Sequence, residues 1–312
     1  MTEASPGEIV VGTRGSLLAV TQTQWVIDQL LRHHPGLSIR VERIVTAGDR
    51  DQTAPLPQVG QKGIFTRELE EALLAGRIDL AVHSAKDLPE EMPDGLDLLC
   101  IPVREDPRDA LISRDRLALD DLPQGAVLGT SSLRRQAQLR LIRPDFGFCV
   151  LRGNVDTRIR KVRRGDCDAT LLAMAGLNRV GLAHEATAPV PVERILPAPN
   201  QGILAIQGRR DDDRLRGLLA PVQHDPTVVV FHCERDMVER LEGGCTTPIG
   251  LLATVEGEML HVTAVVAAPD GTRCARAAAS DRVADRDVLI DRVVGDLNAQ
   301  GAREIVRSCR IG

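Results

Sequence analysis

Aromatic residues are scarce in this chain of 312 residues. The sequence holds no tyrosine, one tryptophan and four phenylalanines, which together make up 2% of its residues. Single-stranded nucleic acids are bound on stacking aromatic side chains, so this scarcity argues against such a platform. The net charge of −5 gives no attraction to DNA or to an anionic membrane either. The composition therefore predicts a protein that acts without nucleic acid and without a membrane.

Signals for export and for membrane insertion are also missing. No apolar run approaches the roughly 18 residues of a membrane-spanning helix. Residues 1–7 are polar and acidic and lack the apolar stretch of a signal peptide. The seven cysteines are odd in number and form no CxxC pair. We therefore expect a cytoplasmic protein with reduced thiols.

Several motifs of catalysis and metal binding are absent. The chain has no P-loop, no GxGxxG turn, no GxSxG elbow, and no HExxH or other spacing typical of metal ligands. Neither nucleotide chemistry nor a metal is therefore expected. Three of the 39 basic residues are lysine and the rest are arginine, which makes Lys86 conspicuous.

Two similar turns are the most informative features present. Residues 12–16 (GTRGS) and 129–135 (GTSSLRR) each follow a short apolar run and open a segment with helical periodicity. A turn from strand to helix leaves free backbone N–H groups, which form an anion site together with the helix dipole. The second turn places Arg134 and Arg135 where the dipole disfavours cations, which suggests a negatively charged ligand. Two such turns in two halves of the chain suggest a cleft with an anion site on either side.

Strands and helices alternate along the first two thirds of the chain. The pattern predicts strands at 8–11, 37–45, 78–82, 110–113, 127–130, 146–150 and 169–172, and helices at 17–32, 65–75, 132–142, 155–164 and 173–180. This alternation indicates α/β domains with mostly parallel sheets whose faces are covered. Residues 46–63 show no periodicity and are predicted to form a lid loop. Glu68, Glu70 and Glu71 are expected on the outward face of the helix that follows.

The last third of the chain has a different pattern. A helix at 226–241, strands at 249–255, 259–267 and 272–280, and a last helix at 284–299 predict a small antiparallel sheet with helices on one face. The proline-rich connector 188–200 precedes residues 202–207, which are expected to rejoin the first sheet. These features predict three domains, formed by residues 1–103 with 200–220, residues 104–199, and residues 221–312.

Arginines collect at the predicted strand ends. The guanidinium group binds carboxylate or phosphate through two hydrogen bonds and stays charged at any working pH. Ligands of open α/β sheets lie beyond the carboxyl ends of the strands. The set as a whole therefore predicts a ligand with several carboxylates, whereas for any one arginine a solvated surface position is the alternative. The six residues are Arg14, Arg134, Arg135, Arg152, Arg158 and Arg179.

Residues 83–87 (HSAKD) follow another predicted strand. A carboxylate beside a lysine at the mouth of a cleft is suited to orient a substrate that carries an N–H group and to stabilise a developing cation. The alternative is a surface ion pair worth about 0–1 kcal/mol.

One cysteine differs from the others in its surroundings. Cys245 lies in LEGGCTTP, where two glycines leave its sulfur accessible, so it is either a nucleophile or merely a free cysteine. Cys100, Cys149 and Cys167 lie in or beside apolar strands and are predicted to be inert core residues.

In this order, these segments resemble the porphobilinogen deaminase (hydroxymethylbilane synthase) family over almost the whole chain. The matching segments are GTRGSLLA (12–19), QKGIFTRELE (61–70), HSAKDLP (83–89), GTSSLRRQ (129–136), LRGNVDTR (151–158), AGLNRVG (175–181) and LEGGCTTPIG (241–250). The resemblance implies two type II periplasmic-binding-protein-like α/β domains around a cleft, plus a small α+β domain with a three-stranded antiparallel sheet. It also implies a monomeric transferase of tetrapyrrole and haem biosynthesis. Such an enzyme deaminates porphobilinogen, condenses four molecules head to tail and releases linear hydroxymethylbilane by hydrolysis.

The resemblance also implies roles for individual residues. Cys245 would carry a covalent dipyrromethane cofactor through a thioether. Asp87 would hydrogen-bond pyrrole N–H groups and stabilise the cation that forms when ammonia leaves, and the catalytic set would be Asp87, Lys86, Arg14, Arg152 and Arg158. The cofactor would also be held by Ser84, Lys86, Asp87, Thr130, Ser131, Ser132, Arg134, Arg135, Gly153 and Arg158. The substrate would be held by Arg14, Ser16, Phe65, Arg152, Arg179 and Gln201.

Two other functions are compatible with the residues alone. The first is a two-lobed binding or sensor protein for anions without catalysis, because one fold hosts both kinds of function. The second is a thiol hydrolase in which Cys245 is paired with a distant histidine such as His224 or His232. Replacing Cys245 with serine distinguishes the readings, since a binder keeps its affinity whereas a deaminase cannot keep its cofactor.

Overall fold

The computed structural model describes residues 7–47, 65–89, 91–244 and 247–310. The predicted lid at 46–63 therefore lies almost entirely outside the described residues. The chain divides into two compact units, unit 1 (Met1–Arg104 and Ile203–Thr227) and unit 2 (Glu105–Gly202 and Val228–Gly312).

Most of the described strands and helices lie where the sequence pattern predicts them, but the strand at Leu96–Cys100 and the helix at Asp213–Leu219 were not predicted. The strands are β1 (Ile9–Thr13), β2 (Ile39–Arg43), β3 (Leu80–Ser84), β4 (Leu96–Cys100), β5 (Asp109–Ser113), β6 (Val127–Gly129), β7 (Gly147–Cys149), β8 (Ala169–Ala173), β9 (Ala188–Pro189), β10 (Leu204–Arg209), β11 (Ile249–Glu256), β12 (Met259–Ala267) and β13 (Cys274–Arg282). The helices are α1 (Leu17–His33), α2 (Arg67–Leu74), α3 (Leu133–Ile142), α4 (Val155–Arg163), α5 (Met174–Arg179), α6 (Asp213–Leu219), α7 (Asp225–Arg240), α8 (Arg286–Ala299) and α9 (Ala302–Arg310).

Unit 1 is built on one five-stranded sheet in the order β2-β1-β3-β10-β4. Strand β1 pairs in parallel with β2 and β3, and β10 pairs antiparallel with β3 and β4. Alternate residues of β1 point to opposite faces of the sheet. Val11 packs in the cluster that includes residues of α1, whereas Val10 packs in the cluster that includes residues of α2. Both faces are therefore covered, which explains why all of β1 is apolar or small and buried.

Unit 2 contains two sheets. The first has the order β7-β6-β8-β5-β9, in which β6 is parallel to β7 and β8, and β5 is antiparallel to β8 and β9. The second consists of the antiparallel strands β11-β12-β13, against which α8 and α9 pack. The expected fold class, two α/β sheets plus a small antiparallel sheet, is confirmed. The expectation of mostly parallel sheets is wrong, because two of the four strand pairings in each five-stranded sheet are antiparallel. The division of the chain into three domains stays a prediction.

Three further expectations about the fold are settled by the described residues. The segment after the proline-rich connector does rejoin the first sheet, as strand β10 between β3 and β4. The expectation that Glu70 points outward is wrong, because its side chain is buried and accepts a hydrogen bond from Gln207 on β10. The helix at 284–299 is not the last one, since α9 follows it with Ile305 and Val306 buried.

Candidate functional site

Both predicted anion turns have the expected backbone. Strand β1 ends at Thr13 and α1 begins at Leu17, and the Ser16 hydroxyl caps the helix by accepting a hydrogen bond from the Ala19 N–H at 3.3 Å. In unit 2, Ser132 caps α3 in the same way, at 3.4 Å from the Arg135 N–H. A cap of this kind satisfies one of the free N–H groups at a helix start.

Arg14 lies over the ring of Phe65 in unit 1. The Cζ atom of its guanidinium is 4.1 Å from the ring centroid, which is the geometry of a cation–π contact. Both residues are half-buried. The structure therefore brings together two of the residues expected to bind substrate.

Residues 83–87 form the end of β3 and a short 3-10 turn. The Ser84 hydroxyl exchanges hydrogen bonds with the Gln22 amide at 3.0 and 3.3 Å. The turn from Ala85 to Asp87 is closed by a hydrogen bond from the Leu88 N–H to the Ala85 carbonyl. Asp87 is exposed, and Lys86 is half-buried. The turn thus presents the Asp87 carboxylate to solvent, beside a lysine, on a fixed strand end.

A buried polar chain lies behind this strand end and was missed by the sequence reasoning. His83 Nε2 is 2.9 Å from Gln207 Oε1, and Gln207 Nε2 donates to Glu70 Oε1 at 3.4 Å. Burial and, to a lesser degree, the positive charge of Arg14 lower the pKa of His83 to about 4, against the opposing effect of its hydrogen bond with Gln207. Burial also raises the pKa of Glu70. His83 is therefore neutral at physiological pH and donates its Nε2–H to Gln207.

Arg134 and Arg135 are buried in unit 2 around an aspartate that the sequence reasoning did not single out. Their exposed fractions are 4% and 8%, and the Asp109 side chain is fully buried. Asp109 Oδ2 accepts from Arg134 Nη2 at 2.9 Å and from Arg135 Nε at 3.1 Å, and Oδ1 accepts from Arg135 Nη2 at 2.7 Å. Arg134 Nη1 also donates to the Leu196 carbonyl at 2.6 Å. The two arginines whose position suggested an anionic ligand thus already share one protein carboxylate.

Burial and the charges of this cluster shift the pKa values of Asp109 and Arg134. Despite the cost of burial, the two guanidinium groups hold the pKa of Asp109 far below its usual range. Burial lowers the pKa of Arg134, and Asp109 opposes that shift. Since the pair carries two positive charges against one negative charge, one positive charge is left over in a nearly dry environment.

Gln201 and Arg179 occupy the same unit. Gln201 Nε2 donates to Asp109 Oδ1 at 2.9 Å and to the Pro107 carbonyl at 2.7 Å, and Gln201 is buried. Arg179 Nη2 donates to the Gly202 carbonyl at 2.8 Å. Burial lowers the pKa of Arg179 to about 10, and the charge of Glu105 partly compensates, so Arg179 stays a cation at neutral pH.

The remaining sequence-predicted residues of unit 2 lie at two loops. Gly153 has a φ of +114° and no space for a side chain, since a Cβ would lie 2.8 Å from Thr157 Cγ2. Its carbonyl accepts from Arg158 Nε at 2.7 Å, while the Arg152 carbonyl accepts from Lys161 Nζ at 3.1 Å. In the other loop, the buried Thr130 accepts a hydrogen bond from the Ser132 N–H at 3.1 Å. The neighbouring side chain of Ser131 is exposed.

Cys245 lies outside the described residues, but its loop is bounded by two residues that are described. The Gly244 N–H donates to Thr247 Oγ1 at 3.1 Å, and this hydroxyl donates to the Gly244 carbonyl at 2.6 Å. Two of the cysteines predicted to be inert, Cys100 and Cys167, are buried, and burial raises their pKa values to about 12 and about 11. Cys149 is half-buried.

The described residues contain no cluster of three or more histidine, cysteine, aspartate or glutamate side chains arranged to hold a metal ion. None of the helices among them is long and apolar enough to cross a membrane.

Two family models match the sequence. Residues 9–217 match the model described as porphobilinogen deaminase, dipyromethane cofactor binding domain, and residues 229–302 match the model of the porphobilinogen deaminase C-terminal domain. Curated relatives have the same name. The porphobilinogen deaminase of Geobacter metallireducens is 46% identical over 97% of this chain and 95% of its own length. That of Desulforudis audaxviator is 47% identical over 98% of this chain and 99% of its own length.

Solved structures show a more distant likeness. The methionine binding protein MetQ aligns with a TM-score of 0.44 and 14% identity, over 74% of this chain and 96% of its own. A reduced form of OxyR from N. meningitidis aligns with a TM-score of 0.41 and 16% identity, over 69% of this chain and 94% of its own.

Proposed function

Because this chain belongs to the porphobilinogen deaminase family, we propose that unit 2 binds carboxylates for the family's reaction and that unit 1 supplies its catalytic carboxylate. The protein is a transferase that uses a dipyrromethane cofactor. It deaminates porphobilinogen, joins four molecules head to tail and releases linear hydroxymethylbilane by hydrolysis. The observation that carries the assignment of unit 2 is the buried pair Arg134 and Arg135, whose positive charge exceeds that of its aspartate partner.

The donor set of unit 2 fits a cofactor that carries acetate and propionate groups. All hydrogen bonds from the Arg135 side chain to other described residues go to Asp109 through Nε and Nη2, which leaves the Nη1 edge for a ligand carboxylate. When bound, the dipyrromethane supplies the free pyrrole α-carbon to which substrate units are added. The thioether is assigned to Cys245. The residues proposed to hold the cofactor in unit 2 are Thr130, Ser131, Ser132, Arg134, Arg135, Gly153 and Arg158, and those in unit 1 are Ser84, Lys86 and Asp87.

Asp87 is proposed to act on the pyrrole N–H and on the positive charge that develops as ammonia leaves. The aminomethyl group of porphobilinogen leaves from its protonated form: the C–N bonding electrons depart with the nitrogen as neutral ammonia, and the positive charge of the ammonium group passes to the pyrrole. A fixed carboxylate stabilises that charge without reorganisation. The short turn that ends at Asp87 starts from a central strand, so the backbone that carries this carboxylate is held by the sheet.

The substrate carboxylates are proposed to be bound by arginines on both units. In unit 1, Arg14 would bind one through its guanidinium, which the Phe65 ring supports at 4.1 Å, and Ser16 would add a hydroxyl donor. In unit 2, Arg152 and Arg179 would bind further carboxylates. Gln201, also proposed as a substrate contact, is buried against Asp109, so we propose that it acts mainly by fixing that aspartate. Every added substrate unit brings two carboxylates, which accounts for the number of arginines.

The proposal includes a cytoplasmic monomer that acts on a small molecule and not on nucleic acid. A net charge of −5 and few aromatic residues support the exclusion of nucleic acid. Light scattering of the purified protein tests the monomer, and a mass near twice 33.8 kDa would contradict it.

Intact-mass spectrometry tests the proposed function directly. The purified protein, after incubation with porphobilinogen, should exceed its sequence mass by two porphobilinogen units less two ammonias. Cys245→Ser should lack this excess, whereas Cys274→Ser, at a cysteine that is exposed in the structure, should keep it. An unmodified wild-type mass after incubation would contradict the proposal and favour a two-lobed binding protein. An excess retained by Cys245→Ser would show that another residue carries the cofactor.

A further inference from the structure

We infer that Asp109 is a positioning residue, which holds Arg134 and Arg135 in the orientation that binds a ligand carboxylate. This inference rests on the proposed role of the two arginines in binding the cofactor. Asp109 begins an apolar strand and lies outside the motifs that the sequence shares with the family.

The Asp109 carboxylate has no acceptor capacity to spare. Each oxygen accepts two hydrogen bonds, Oδ2 from Arg134 and Arg135 at 2.9 and 3.1 Å, and Oδ1 from Arg135 and Gln201 at 2.7 and 2.9 Å. Four such bonds use the four lone-pair sites of a carboxylate. Asp109 therefore cannot itself be a ligand for a substrate N–H, and its effect on any bound molecule must pass through the side chains that it holds.

The main chain of Asp109 is fixed as well. It lies at the first position of β5, opposite Ala173 of β8, and its carbonyl accepts a hydrogen bond from the Val190 N–H at 2.7 Å. Strand β5 has a paired neighbour on both sides. The backbone that carries the Asp109 carboxylate is therefore held rigidly. A positioning group must be rigid, because misplacing a binding group by 1 Å can reduce a rate by about 100-fold.

The guanidinium group of Arg135 is the group that Asp109 positions. Its Nε and Nη2 groups donate to the two oxygens of Asp109. This planar two-point contact prevents the guanidinium group from rotating. The opposite Nη1 edge has no acceptor among the described residues. Arg134 is held differently, between Asp109 and the Leu196 carbonyl. Asp109 thus orients the free edge of Arg135 and anchors Arg134 beside it.

Positioning and simple charge compensation predict opposite results for one substitution. Asp109→Asn keeps the shape of the side chain but raises the net charge of the cluster from one to two. If Asp109 were merely a countercharge, the variant would attract an anionic cofactor more strongly. If Asp109 positions the arginines, the variant acquires the cofactor more slowly despite its greater positive charge.

The experiment measures cofactor acquisition and not turnover. Apoprotein from a host unable to make porphobilinogen is mixed with porphobilinogen, and the two-unit mass adduct is followed in time by intact-mass spectrometry. Thermal midpoints are measured for the apo and the loaded forms. We expect Asp109→Asn to acquire the adduct at least about 10-fold more slowly than the wild type. The rise in thermal midpoint on loading should fall to less than half of the wild-type rise.

Asp168→Asn is the matched control. Asp168 is another carboxylate of unit 2 that accepts from a backbone N–H, that of Val127 at 2.8 Å, and pairs with an arginine, Arg114 at 3.2 Å. None of the hydrogen bonds or ion pairs that the structure gives for its side chain involves Arg134 or Arg135. Its loss should lower the thermal midpoint of both forms alike and leave the acquisition rate and the rise on loading at the wild-type values.

A second variant keeps the inference testable if Asp109→Asn does not fold. Asp109→Glu retains the charge but displaces the carboxylate by one methylene, and we expect slower acquisition than in the wild type. Wild-type acquisition by Asp109→Asn, or by Asp109→Glu where the first variant cannot be made, would overturn the positioning role. Failure of the wild-type apoprotein to gain the adduct would instead overturn the proposed function.

Discussion

Protonation of His83 should control the acid stability of unit 1. Its pKa falls from 6.5 in the unfolded chain to about 4 in the folded protein, because burial of the ring disfavours the charged form and the positive charge of Arg14 disfavours it further. A group whose folded pKa is depressed binds its proton more weakly in the folded state, so a histidine of this kind destabilises the fold as the pH falls below 6.5. The loss is about 1.4 kcal/mol for each pH unit, and reaches about 3 kcal/mol near pH 4.

The single tryptophan provides an assay that reports on this unit. Trp25 lies in α1 and packs against the hydrophobic cluster of unit 1. Urea unfolding followed by its fluorescence should therefore measure the free energy of unfolding of unit 1. The variant His83→Gln keeps a donor for Gln207 but cannot be protonated. Between pH 6.5 and pH 5, the wild type should lose about 1.5 kcal/mol more than this variant.

The buried carboxyl of Glu70 gives a control of opposite sign. Its pKa is raised by burial, so it contributes stability that is present below its unfolded pKa of 4.5 and is lost as the pH rises through the folded value. Glu70→Gln should therefore gain stability relative to the wild type as the pH rises above 4.5.

The prediction for His83 would be refuted if the free energy of unfolding changed equally with pH in the wild type and in His83→Gln between pH 6.5 and 5. The buried neutral histidine would then not be the titrating group.

Three further predictions concern residues of unit 1. Asp87→Asn should reduce the rate of ammonia release in a single turnover by about 100- to 1,000-fold, while the thermal midpoint stays within a degree or two, since the side chain is exposed. Gly12→Ala should destabilise unit 1 by about 1–3 kcal/mol in the Trp25 assay because its Cβ would clash with Ile78 Cδ1, whereas Gly15→Ala, with open space around it, should be within about 0.5 kcal/mol of the wild type. Replacing Arg14 with lysine, which keeps the charge but loses the planar stack on the Phe65 ring, should raise KM for porphobilinogen more than it lowers kcat. An unchanged KM would mean that this guanidinium does not bind substrate.

The fold was largely predictable because its main strands and helices have strong local signals. Residues 17–32 combine a serine cap with helical periodicity, and α1 occupies Leu17–His33. Strand β9 was missed because it consists of two residues in a proline-rich segment, and its pairing with β5 depends on the tertiary fold. The helix α9 was missed because it is rich in arginine, although Ala302, Ile305 and Val306 give it a buried face.

The candidate site was predictable where it rests on local turns and not where it rests on distant pairs. Ser16 and Ser132 cap helices, as an N-terminal serine commonly does. Asp109 is 25 and 26 residues away from the arginines that it binds, and at the start of an apolar strand an aspartate has the appearance of a loop residue. Glu70 was expected outside for a similar reason, because its partner Gln207 is 137 residues away. No local pattern in a single sequence predicts such pairings.

Strands β1 and β6 occupy the same place in the two five-stranded sheets, and both are held by a hydrogen bond to an aspartate side chain. In unit 1 the Asp79 carboxylate accepts a hydrogen bond from the Val10 N–H at 2.9 Å, and in unit 2 Asp168 accepts one from the Val127 N–H at 2.8 Å. Each of these aspartates also pairs with an arginine, Arg209 or Arg114. The first helix of each unit then begins at a serine cap. The two units therefore share their strand order and also the side chains that hold corresponding strands and helix starts.

The two units differ at the carboxyl ends of β3 and β8, the strands that follow Asp79 and Asp168. Eight residues after Asp79 the chain reaches Asp87, on an exposed turn beside Lys86, whereas eight residues after Asp168 it reaches Gly176, a buried position inside α5. Unit 1 thus keeps a free carboxylate at this strand end, and unit 2 has none. Unit 2 instead places its carboxylate, Asp109, on the neighbouring antiparallel strand, where four hydrogen bonds occupy it fully. A carboxylate open to solvent is suited to stabilise a cation, and a saturated one is suited to hold cations in place, so a single scaffold accounts for both proposed tasks.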